Sequence, residues 1–94
     1  MRFILFTTEI RDGENEYLRE HVARITKEDS NEATIEKLLK EYLEAYFSEE
    51  GTFDKENKCV WEDGDIRCIS IDCWRTISEE EYRVLSKYLP TFIW

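Results

Sequence analysis

Cys59, Cys68, Cys73 and His21 are the only side chains in the sequence that could serve as soft metal ligands or redox centres. Zinc sites are built from paired ligands such as Cys-x-x-Cys, because one tight turn then holds two thiolates at a single ion. The gaps between these cysteines are wide and no pair has that spacing, so no metal is assigned. Three cysteines, an odd number, also fail to make a disulfide scaffold, and a reduced cysteine is a small hydrophobe that strands bury readily. One disulfide stays sterically open, between Cys59 and Cys68, if a hairpin places them opposite each other. A reducing cytoplasm disfavours it.

His21 is the sole histidine and the natural candidate for a general base. A base needs an oriented partner and a substrate pocket. Only Glu20 and Glu9 stand near enough to be considered, and nothing in the sequence aims either at the ring. A half-exposed strand histidine is expected instead. No serine or threonine sits in a glycine-flanked elbow, and three glycines leave no phosphate-cradling loop. No catalytic residue and no cofactor is assigned, and the chain is not expected to be an enzyme.

Binding without chemistry is the class that remains, and the aromatic residues speak to it. In a hairpin over residues 58–74, Trp61, Ile66 and Trp74 fall on the face opposite Ile69 and Ile71, together with Cys59 and Cys68. Tryptophan is enriched at interface hot spots. Pro90 starts the closing segment extended, so Phe92 and Trp94 point to one side of it and Ile93 to the other. Trp61, Ile66, Trp74, Phe92 and Trp94 are therefore the candidate interface. Two alternatives stay open. The faces of the hairpin are swapped, or Phe92 and Trp94 dock on the Trp61 and Trp74 face, within the monomer or across a homodimer.

The element that must organise these residues is a helix over Ala33 to Ser48. Ile35, Leu38, Leu39, Tyr42, Leu43 and Tyr46 follow the i, i+3, i+4, i+7 pattern of one buried face. Glu36, Lys37, Lys40, Glu41 and Glu44 occupy the other, with i,i+4 pairs of opposite sign. Asp29 and Glu32 have the form of a capping box, which puts the start at or near Ser30. Before the helix, Arg2 to Ile10 reads as a central strand, apolar on both sides, and Arg11-Asp12-Gly13-Glu14 as a turn. Tyr17 to Thr26 is the second strand, with Tyr17, His21, Ala23 and Ile25 facing the core and Leu18, Glu20, Val22 and Arg24 on the other face.

After the helix, Asp63-Gly64 predicts a two-residue turn in which Glu62 faces Asp65, Trp61 faces Ile66 and Cys59 faces Cys68. Ser78 and Glu81 predict a capping box for a last helix, with Ile77 and Tyr82 as its hydrophobic staple. Tyr82, Leu85 and Leu89 give that helix its apolar stripe, and Pro90 stops it. The order strand, strand, helix, strand, strand, helix suggests an internal ββα repeat, helped by Leu39, Tyr42, Leu43 and Leu85, Tyr88, Leu89 sharing one pattern. Residues 1–94 form a single small acidic α+β domain: a four-stranded, mainly antiparallel sheet with two helices packed on one face.

Charge completes the sequence reading. The net charge is −9, from 22 acidic and 13 basic residues, and no cluster of Lys and Arg could track a phosphate backbone, so nucleic acid is not an expected partner. No apolar run approaches the ~20 residues that cross a bilayer, and the chain reads as cytoplasmic. An acidic surface favours fast encounter with a basic partner. The expectation is a small acidic non-catalytic protein-binding module that occupies a basic partner surface, as inhibitors of the anti-defence, immunity or antitoxin kind do. The alternative from another class is a cysteine-based metal-binding or redox protein.

Overall fold

A computed structural model of the protein describes residues 1–26, 31–47, 52–54, 59–62 and 67–94, with the backbone alone at 46–47, 52–54, 59–62 and 67. The elements run β1 (Arg2–Asp12), β2 (Asn15–Ile25), α1 (Glu32–Phe47), β3 (Thr52–Asp54), β4 (Cys59–Glu62), β5 (Arg67–Ile77), α2 (Glu79–Leu85) and β6 (Thr91–Ile93). Residues apolar on both faces belong in the middle of a sheet. Phe3-Ile4-Leu5-Phe6 accordingly places β1 between β5 and β2, in the order β3-β4-β5-β1-β2-β6. The class is α+β, as expected, but two short strands join the four expected ones and the sheet is mixed. β1 is antiparallel to β2 and β5, β4 is antiparallel to β3 and β5, and β6 runs parallel to β2.

The expectation that both helices share one face is corrected. Ile35, Leu38 and Leu39 of α1 pack with Ile4, Phe6, Ala23 and Ile25, whereas Tyr82 of α2 stacks on Phe3, ring centroids 4.7 Å apart. Successive strand residues point to opposite sides, so Phe3 and Phe6 face different helices. The topology supplies the reason. β2, β3, β5 and β6 all point the same way, β2 crosses through α1 to one edge, and β5 crosses through α2 to the other. Crossovers between parallel strands share one hand. Two of the same hand travelling in opposite directions must pass over opposite faces.

The same asymmetry removes the ββα repeat. Tyr42 packs against the core while Tyr88 is 80% exposed, and β1 is central where its counterpart β4 is one strand from the edge.

Local signals set most element ends. Gly13 takes φ 62° in the β1–β2 turn, a conformation open to glycine at little cost. The α1 cap is Asn31, not the expected Asp29 box: its Oδ1 accepts the Thr34 N–H at 2.9 Å and its carbonyl accepts the Ile35 N–H at 3.0 Å. Asp29 itself lies outside the described residues. Ser78 and Glu81 do form the reciprocal capping box of α2, two orphan donors satisfied at once. Tyr82, Leu85 and Leu89 are half-buried, but α2 ends at Leu85 with Ser86 as its C-cap, short of the stop expected at Pro90, and hydrogen-bonded turns carry the chain from Leu85 to Leu89.

Two register findings bear on the expected interface. Glu62 pairs with Arg67, Trp61 with Cys68 and Cys59 with Ser70. The register is therefore shifted by two from the expected one and Cys59 is not opposite Cys68; the expected Asp63-Gly64 turn lies outside the described residues. A shift of two keeps every residue on its face. The second finding is a bulge. Thr8 pairs with Ile71 and Thr7 with Cys73, which leaves Asp72 as an extra residue in β5. One inserted residue reverses the alternation beyond it, so Trp74 points to the same side as Ile69 and Ile71.

Candidate functional site

Three of the five residues expected to form an exposed apolar face are partly buried. Trp74, Phe92 and Trp94 all pack against the core cluster beneath α1. Phe6 lies among them, 6.0 Å from Phe92 and 5.5 Å from Trp94, centroid to centroid. The chain end is tied down by main-chain bonds. Val22 N–H donates to the Pro90 carbonyl (3.0 Å), Trp94 N–H to the Arg24 carbonyl (2.9 Å) and Thr26 N–H to the Trp94 carbonyl (2.8 Å). The tail does reach the side on which Trp74 lies, but that side is the core. Trp74 also lies beneath the Arg2 guanidinium, at 5.5 Å. Trp61 is described through its backbone pairing with Cys68. Ile66 lies outside the described residues.

His21 is also corrected, from half-exposed to buried. It is 6% exposed, stacked on Phe6 at 4.9 Å and flanked by Phe92 at 5.9 Å and Tyr42 at 6.1 Å. Its Nε2 lies 3.3 Å from the Thr8 hydroxyl, and neither Glu9 nor Glu20 serves it. Burial, with Arg19 adding to it, pushes its pKa below the ordinary imidazole value.

The sign of the resulting pH dependence follows. Above about pH 6.5 the imidazole is neutral folded and unfolded, and contributes nothing; as pH falls through that value the unfolded chain takes up a proton that the core resists. Stability should therefore decline on acidification from pH 7 to 5. Urea unfolding across that range would show it, and His21→Phe should flatten the profile. An unchanged slope in the variant would remove His21 from the account.

What the helices leave uncovered is the far half of β2. Every residue from Asn15 to Glu20 is exposed, whereas His21 to Ala23 are buried. Both faces of the strand are bare there, because α1 sits over β1 and β5 and α2 packs near Phe3. Leu18 is 58% exposed. The face that bears Leu18 also carries Glu16 and Glu20, and its neighbours on β1 are Arg11, Glu9 and Thr7. Arg11 lies between two acids, its Nε 3.0 Å from Glu9 and its Nη2 3.9 Å from Glu16. One cation does not neutralise this group. A hydrogen bond with Glu16 and then one with Arg11 hold Glu9 below the usual carboxylate range. The same bond with Glu9 raises Glu16, against the pull of Arg11, and the Glu9 and Asp72 charges add to it.

The edge is also open along its main chain. β6 reaches only Val22 to Arg24, and its bonds use the N–H of Val22 and the carbonyl of Arg24. Alternate residues of an antiparallel strand turn their N–H and C=O to the same side. Glu16, Leu18 and Glu20 therefore present theirs outward, and among the described residues no strand meets them.

A second concavity, a groove of about 620 Å³ between α1 and the β5 bulge, is lined by Leu39, Leu43, Ile71 and Trp74 below and by Lys37, Lys40 and Asp72 at its rim. Its charges are of both signs and define no ligand. Among the described residues, no three His, Cys, Asp or Glu side chains are grouped to hold a metal ion, and no helix is long and apolar enough to cross a membrane. Sequence reasoning passed over Glu16, Leu18 and Glu20. Their signal was the phase conflict in β2, where Leu18 lies on the face given to solvent.

No protein-family model matches the chain, and no curated protein or solved structure is significantly similar to it.

Proposed function

We propose that the protein is a small acidic binding module that performs no chemistry and acts by occupying a basic surface of a protein partner, in the manner of an inhibitor of the anti-defence, immunity or antitoxin kind. The observation that carries this reading is the bare half of β2, where Glu9, Glu16 and Glu20 crowd one face around exposed Leu18. Carboxylates crowded on one face gain from an incoming cation, and a central apolar residue with a charged rim is the composition of a binding patch. The overall charge of −9 adds long-range attraction to the same kind of partner.

The experiment is to recover the partner by affinity capture at low salt and measure its kinetics by stopped flow. Association should slow by about tenfold or more between low and physiological salt, while dissociation changes much less. An on-rate independent of salt would reduce the charge to a solubility device.

A further inference from the structure

Building on the reading of the protein as an acidic module for a basic partner, we propose that the open edge of β2 from Asn15 to Glu20 accepts one more β-strand, supplied by that partner and spaced cation-x-apolar-x-cation. Glu16, Leu18 and Glu20 turn outward N–H and C=O groups that pair with no strand among the described residues, in continuation of the row that β6 already uses at Val22 and Arg24. Adding an extended segment to such an edge supplies affinity through main-chain bonds, and alternate side chains supply specificity. The side chains of Glu16, Leu18 and Glu20 lie on one face, two residues apart. Residues directly opposite them in an added strand meet them at about 4.5–5.5 Å, so lysine or arginine belongs opposite each glutamate and an aliphatic residue opposite Leu18. That pattern reads the same in either strand direction.

Charge also decides against the other obvious occupant. A second copy pairing antiparallel about Leu18 would set Glu16 against Glu20 of its mate at both ends, and like charges directly opposite are destabilising. Charged edges commonly protect sheets from self-association. Here the charges that repel an acidic copy attract a basic segment. The hydrogen bond with Glu9 that raises Glu16 fits this choice, since it keeps two carboxyl groups together against the pull of Arg11.

The test uses a fluorescent peptide, Thr-Lys-Thr-Val-Thr-Lys-Thr, titrated with the full chain at low salt and read by anisotropy and by amide chemical shifts. Binding is expected, with shifts centred on residues 15–20. Replacing both lysines by glutamate, or N-methylating the amides that would pair, should weaken it by about tenfold or more. Glu16→Lys with Glu20→Lys should reverse the preference towards the glutamate peptide. Leu18→Pro, which removes only an outward N–H, should abolish binding in a chain that still unfolds cooperatively.

Equal binding by the N-methylated peptide would overturn the added strand and leave the acidic-surface reading intact. So would an undetectable peptide beside salt-steep association of the captured partner. A dimer that Leu18→Pro dissociates would overturn the choice of occupant. Salt-independent partner association would be the separate failure of the underlying reading.

Discussion

Removing residues 91 to 94 should lower the unfolding temperature by about 15 °C or more, corresponding to roughly 3–5 kcal/mol in a domain of this size. The segment is short, but it supplies Phe92 and Trp94 to the cluster around Phe6, and Trp94 bonds to β2 and Thr26 through its N–H to the Arg24 carbonyl and its carbonyl from the Thr26 N–H, with Thr26 Oγ1 adding another bond to that carbonyl at 2.8 Å. An aromatic side chain can bury 150–250 Å², which at about 25 cal/mol per Å² is roughly 4–6 kcal/mol before ordering costs. Truncation would uncover Phe6 and His21 and extend the open edge of β2 to its whole length. Differential scanning calorimetry with a hydrophobic dye would register both effects. A truncated chain of unchanged melting temperature that binds no dye would show that the packing of Phe92 and Trp94 contributes nothing.

Phe6→Ala should cost about 3–5 kcal/mol through lost burial and the cavity it leaves. Phe6 is fully buried and is the residue on which the cluster converges: His21 stacks on it, Tyr42 meets it edge-on at 5.4 Å, and Phe92 and Trp94 close the far side. Ring packing of this kind adds about 0.5–1.5 kcal/mol per pair beyond area. Because Phe6 and Trp94 are in contact, their effects should not add. Urea unfolding of Phe6→Ala, Trp94→Ala and the double variant should give a coupling of about 0.5–3 kcal/mol, the double losing less than the sum. Strict additivity would mean that the two rings are packed independently.

How much of this was legible in the sequence depends on whether the information was local. The amphipathic stripe of α1 reports its own burial, since Ile35, Leu38, Leu39 and Leu43 are all buried. Ser78 and Glu81 specify the start of α2 because a cap is made by residues three apart. The unbroken apolar run Phe3-Ile4-Leu5-Phe6 likewise marked a strand covered on both faces. The failures are all non-local. The bulge at Asp72 has no signature of its own, yet it carries Trp74 from one face to the other. The separate placement of the helices follows from the directions of two crossovers, which depend on β3 and β6, strands too short to announce themselves. His21 is buried because Phe92 reaches it from the far end of the chain. Leu18 was legible and misjudged: an exposed aliphatic residue with a glutamate on each side of it along one face reads as solvated until the outer edge of that stretch of β2 is seen to meet no strand among the described residues.

The position of β1 has a consequence for how the chain is made. Its hairpin partner β2 follows at once, but its other side is filled by β5; Arg2, for example, bonds to Thr76, 74 residues away. Until β5 is synthesised and has found its register, Phe3-Ile4-Leu5-Phe6 offers a bare, strongly apolar edge with no proline and no charge within the run. Such an edge is a template for other nascent chains. The interval between emergence of the first hairpin and arrival of β5 is therefore when the protein is most prone to aggregate, and slower translation lengthens it.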